Sequence, residues 1–129
     1  MSNSPLLWLL EFRRQVDALA IAAHRFQDVP TDPTAVEDVR KHMELVTSKL
    51  RASVDLDYNG HAGARRVVAD LRHDCNSESF AIEGYLELWL SYPEERERSG
   101  RIPAAIAAAA EKLDALLHEA ELRAAADHD

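Results

Sequence analysis

The sequence predicts an all-α domain in which two antiparallel helical hairpins pack as a four-helix bundle. Ala, Leu, Glu and Arg abound, while the 129 residues hold only four Gly and five Pro. The abundant types are those that lose least freedom on entering a helix. Apolar side chains recur at alternating steps of three and four along separate stretches, the spacing of one helical face. Nothing alternates with the period of two that marks a half-buried strand. With 47% of its residues apolar, a chain of this length is able to bury roughly two thirds of the surface it exposes when unfolded.

The first helix is predicted over about residues 5 to 26, capped by Ser4 and opened by Pro5, with Leu9, Phe12, Val16, Leu19, Ala23 and Phe26 as its stripe. The stretch QDVPTDP interrupts it. Asp32 and Pro33 then start a helix over about residues 33 to 53, whose stripe is Val36, Val39, Met43, Val46 and Leu50. DLDYNGHAG contains two glycines and an Asn-Gly pair and reads as a loop. A long third helix is predicted over about residues 64 to 91 and a fourth over about 103 to 125. Between them, YPEERERSG supplies a Pro, a charge cluster and a Gly and reads as a solvated loop. The fourth helix carries Ile106, Ala109, Leu113, Leu116 and Ala120 on one stripe, and its alanine-rich first half permits close approach of a neighbour. The apolar start PLLWLL implies that the first hairpin docks against a large surface, either the other hairpin or a second subunit.

Acidic residues outnumber basic ones 23 to 15, a formal charge of −8, so phosphate backbones and anionic membranes are repelled on balance. Neither nucleic acid nor a membrane is an expected partner. Cys75 is the single cysteine, which excludes an internal disulfide and a cysteine-based metal site and fits a reducing compartment, the cytoplasm. The N-terminal apolar run is cut off by Glu11, Arg13 and Arg14 and lacks an early basic segment, so it is not expected to act as a signal peptide or membrane span. His24, His42, His61 and His73 lie on separate segments without paired spacing, so no metal site is expected.

The candidate stretch for chemistry is LRHDCNSESFAIEGYLELWL, in which His73 reads either as an ordinary solvated surface histidine or as a reactive one. At about 100° per residue, Val68, Leu71, Cys75, Ser79, Ile82, Leu86 and Trp89 fall in a sector roughly 80° wide, and His73 lies about 160° from its middle. The imidazole is therefore predicted on the solvent side. Asp74 is able to accept a hydrogen bond from one ring nitrogen and leave the other as a nucleophile, and Ser77 follows one turn on. Phe80 lies about 20° from His73 on the polar side, which reads either as a docking aromatic or as a contact with the first hairpin.

RVVADLRHDCNSESFAIEGYLELWL resembles the histidine-box helix of the dimerisation and histidine-phosphotransfer domain of two-component sensor histidine kinases. Val67 and Leu71 precede His73, Asp74 follows it, and Asn76 and Ser77 form the polar pair. Ile82, Gly84, Tyr85, Glu87 and Leu88 then fall in register without a gap. IPAAIAAAAEKLDALLHEAEL is similar to the second helix of the family's hairpin, with Lys112 and Leu113 followed by Leu116 and Leu117. The resemblance spans about residues 61 to 123. It divides a single helical domain, 1–129, into an N-terminal hairpin, 1–60, and a histidine-box hairpin, 61–125.

The resemblance implies that His73 accepts or passes a phosphoryl group, that Asp74 is its base or orienting partner, and that Ser77 stands where the family uses a polar residue for dephosphorylation. Arg72, Asn76 and Phe80 would meet the partner. It further implies a homodimer through the C-terminal hairpin and a receiver domain or kinase as partner. No cofactor belongs to the chain itself, and Mg²⁺ comes with the receiver. Glu78 replaces a Pro common in the family and Ser79 a usual Leu; Glu78 is expected to bring negative charge near the incoming phosphate and slow transfer unless Arg72 or a metal offsets it. These residues show none of the Asn- and Gly-rich boxes of an ATP-binding domain, so they are not expected to act as a complete kinase by themselves, and NGHAG is not spaced as a phosphate-cradling loop. The His-x-x-Lys-Gly signature of the short phosphotransfer domains is not matched either, since Asn76 and Ser77 occupy those places. The alternative is a non-catalytic dimerisation or adaptor bundle, the regulatory part of a larger signalling protein, with a degenerate histidine box.

Overall fold

The computed structural model describes residues 4–92, 94 and 101–126. Among them, the helices are α1 (Pro5–Asp28), α2 (Pro33–Ala52), α3 (Ala62–Ser91) and α4 (Arg101–Ala126), with a 3-10 turn at Ser53–Asp55 and no strand. The solvated loop expected at YPEERERSG falls largely outside the described residues.

Local chemistry sets the helix ends. Ser4 accepts the Leu6 N–H at 3.2 Å and Pro5 occupies the first turn, where its missing N–H costs nothing. Asp32 accepts the Thr34 N–H at 2.9 Å and the Thr34 hydroxyl at 2.8 Å. These two bonds, with attraction from Arg25, hold the Asp32 carboxyl below its ordinary value. Before α3 the chain turns at Asn59-Gly60, where Gly60 takes φ +77° and the His61 N–H donates to the Tyr58 carbonyl at 2.8 Å. The turn delivers the backbone straight into a helix, so α3 begins at Ala62, ahead of the expected start.

The helices run up, down, up, down. α1 packs along α2 on one side and α4 on the other, α4 packs on α3, and α2 meets α3 only sparsely. A single apolar core draws Phe12 and Phe26 from α1, Met43 from α2, Ile82 from α3 and Leu113 from α4. Every residue of the first three predicted stripes is buried. In α4 the stripe shifts, so that Leu117 is fully buried and Leu116 only half. The buried face of α4 is wider than a narrow seam, and Ile102, Pro103, Ala107 and Ala110 join it.

Trp8 stacks on Phe12 with ring centroids 4.8 Å apart, and its indole N–H donates to the Lys49 carbonyl of α2 at 2.8 Å. The Lys49 ammonium in turn pairs with Glu11. At the other end of the bundle Phe26 meets Trp89 of α3 edge to face at 4.9 Å. Arg13 ties α1 to α4: it donates to both oxygens of Glu121, at 3.1 and 2.6 Å, and to Asp114, while also reaching Asp17 within its own helix. Those carboxylates, Glu121 first, raise the guanidinium's pKa further despite partial burial. Within PLLWLL, Trp8 and Leu9 enter the core, whereas Leu6, Leu7 and Leu10 stay exposed. The large surface that the apolar start implied is thus at least in part the chain's own bundle.

The contrast between adjacent leucines is measurable. Leu117→Ala should cost about 2–5 kcal/mol of unfolding free energy in urea titration, as buried Leu truncations do. Leu116→Ala should cost less than half as much; equal losses would place the buried face of α4 elsewhere.

Candidate functional site

The helical repeat turns His73, Ser77, Phe80, Gly84 and Leu88 outward along one strip of α3, and all five are exposed. Phe80 stands out at 66% exposure. A shallow depression beside it is formed by Ala81, Gly84, Tyr85, Leu88 and Tyr92. The strip therefore begins with an imidazole and a hydroxyl and continues as an apolar ridge.

Asp74 is exposed as well, but consecutive helical residues point about 100° apart. Among the described residues no hydrogen bond joins His73 to Asp74, so the orienting contact the sequence allows is not formed in the free chain. The flank toward α4 is occupied instead by Asp70, which pairs with Arg123 at 3.0 Å.

Of the three expected partner contacts, Arg72 and Asn76 turn toward α2, and Phe80 reaches from the strip to join them in lining a cleft of about 400 Å³ between α2 and α3. Leu50, Arg51 and Val54 form its opposite wall. Arg72 is held there by donating to the Ser53 hydroxyl at 2.7 Å, which itself donates to the Leu50 carbonyl at 2.6 Å. Tyr58 completes the anchor through its hydroxyl to the Ser53 carbonyl at 2.8 Å, with Arg65 over its ring at 5.2 Å. Burial pushes the Tyr58 hydroxyl up, and Arg72 pulls it partly back. Arg72 thus serves the loop and the cleft rather than the surface around His73.

Glu78 was expected near an incoming phosphate. The helix instead turns it about 140° away from His73, half-buried, and its charge falls on Cys75. Burial first, then Asp74 and Glu78, push the Cys75 thiol up to about 12. Ser79 is only 7% exposed, lines the α2–α3 cleft, and its hydroxyl has no hydrogen-bond partner among the described residues. A buried hydroxyl left unpaired costs about 1–3 kcal/mol. The polar break in the core stripe at Ser79 was visible in the sequence. Arg51, Thr47 and Glu83 were not singled out, because their meeting across the cleft depends on how the two hairpins dock.

Among the described residues, no group of three or more His, Cys, Asp or Glu side chains is placed to hold a metal ion, and no helix is long and apolar enough to cross a membrane. No protein-family model, curated protein or solved structure significantly matches the chain.

Cys75 should be silent to thiol reagents in the native state. At pH 8 the folded protein should react with a disulfide exchange reagent at least a hundredfold more slowly than the urea-unfolded chain, because the thiolate is the reacting form. Equal rates would mean that the core around Cys75 opens readily.

Proposed function

We propose that the outward strip of α3 is the docking face of a phosphotransfer or transmitter-like domain, with His73 receiving phosphate from a receiver domain. The observation that carries this reading is Gly84. A glycine in a helix interior is about 1 kcal/mol less favourable than alanine, yet a Cβ added at Gly84 meets nothing within 4 Å and the backbone there has no positive φ. Nothing inside the described fold requires the glycine. A partner backbone lying close against α3, between Phe80 and Leu88, would account for it.

In the proposed step a lone pair on a neutral imidazole nitrogen of His73 attacks phosphorus. A P–N bond forms as the P–O bond to the receiver's aspartate breaks, and the carboxylate leaves. Mg²⁺ held by the receiver neutralises the transferring oxygens. Docking orients the ring, through Asp74 or a residue of the partner. In the transmitter arrangement, a homodimer through α3 and α4, two chains would exchange the contacts that α1 and α2 make within one chain; sedimentation of the intact protein tests that arrangement.

A second reading, a non-catalytic adaptor bundle, is favoured by the missing His73–Asp74 hydrogen bond, and it uses the same strip for docking alone. Incubation with a phosphorylated receiver domain and Mg²⁺ separates the two. Phosphotransfer predicts acid-labile phosphate on the protein that His73→Gln abolishes, whereas docking without label, or label unchanged in that variant, sinks it. The glycine supplies its own check. Gly84→Ala should raise stability by about 0.5–1 kcal/mol, while Gly84→Arg should leave the fold intact and lower receiver binding at least tenfold.

A further inference from the structure

The α2–α3 cleft lies beside the His73 strip but is built differently. Three apolar side chains, Leu50, Val54 and Phe80, line it. Arg51 also lines it, and its guanidinium makes no hydrogen bond or ion pair among the described residues. Arg72 adds a second guanidinium, with Nη1 bound to Ser53 at 2.7 Å. The acid in the lining, Glu83, accepts from the Thr47 hydroxyl at 3.1 Å, and this bridge spans the groove from α2 to α3. Beyond it a second cleft of about 380 Å³ combines Met43, Leu86 and Leu90 with the acids Glu44, Glu83 and Glu87, so an anion's head belongs at the Arg51 and Arg72 end. In a chain of net charge −8, two arginines at an apolar cleft of ligand size are selective for an anion.

Ser79 supplies the independent sign of a ligand. It is more than nine-tenths buried, lines this cleft, and its hydroxyl lacks a partner among the described residues. Buried polar groups are ordinarily hydrogen-bonded. An ordinary apolar residue at that position would complete the core stripe. A hydroxyl is useful there if a polar atom enters the cleft from outside.

We infer that the α2–α3 cleft binds a small amphipathic organic monoanion, a carboxylate whose apolar body lies along Leu50, Val54 and Phe80 and whose head meets Arg51 and Arg72. A polar substituent on the body reaches Ser79. Binding at the cleft is independent of any chemistry at His73.

The test titrates the full chain with 3-hydroxydecanoate, decanoate and decyltrimethylammonium below their micelle concentrations, followed by backbone amide shifts. The expected result is saturable binding of both carboxylates, with shifts concentrated in residues 47–54 and 72–83, and no binding of the cation. Arg51→Glu should weaken decanoate binding about tenfold, the loss of one charge-assisted contact. Ser79→Ala should leave decanoate affinity unchanged and erase the advantage of the hydroxylated acid. Phe80→Ala, at an exposed position, should weaken both acids without unfolding the chain. Failure of the carboxylates to bind, equal binding of the cation, shifts centred elsewhere, or unchanged affinity in Arg51→Glu would each overturn the proposal.

Discussion

The rest of the structure depends on α1 being buried on two sides. Its stripe of Phe12, Val16, Leu19, Ala23 and Phe26 has no exposed surface, and the helix must satisfy α2 and α4 together. Small residues make that possible. Ala22 and Ala23 on α1, with Ala107, Ala109 and Ala110 on α4, let backbones approach where larger side chains would hold them apart. Arg13 adds direction to an otherwise nonspecific apolar contact, since only one rotation of α4 brings Asp114 and Glu121 to the same guanidinium. With α4 claimed by α1 and α3, the α2–α3 side of the bundle is left least filled, and the cleft is the consequence.

The same geometry sorts the residues of α3. A single α-helix of 30 residues presents distinct flanks. One faces the core, one meets α4 through Asp70, one borders the cleft through Arg72 and Asn76, and one remains open with His73, Ser77 and Gly84. Residues adjacent in sequence therefore have separate tasks. His73 and Asp74 look like a pair when read along the chain, yet they lie about 100° apart on the helix; Arg72 and His73 diverge in the same way. Phe80 is shared, exposed on the open strip and lining the cleft.

Helix positions were legible because they rest on local signals: Ser4 and Asp32 as caps, Pro5 and Pro33 as openers, and steps of three and four that held for every stripe residue of α1, α2 and α3. Leu116 failed because the buried face of α4 is broad and continues through Ala110 to Leu117, where a single stripe of steps of three and four predicts Leu116. The exposure of His73 was legible from the same periodicity, as was the polar anomaly at Ser79. The cleft was not, since Arg51 and Arg72 are brought together by tertiary docking and no local pattern encodes their separation. The fixing of Arg72 by Ser53 was hidden for a related reason: the contact closes a loop whose path depends on the turn at Gly60.

Glu78 and Ser79, the two departures from the resembled pattern, have different physical meanings. Glu78 reads along the chain as a charge that repels phosphate, but the helix turns it toward Cys75 and away from His73. Ser79 lies at the cleft, where a serine gives up the apolar burial of an aliphatic side chain and leaves an unpaired hydroxyl. Neither substitution touches the open strip. The departures thus bear on the core and on the cleft, and the argument for or against chemistry at His73 has to be made on the strip itself, where Gly84 is the residue that the fold leaves without an internal reason.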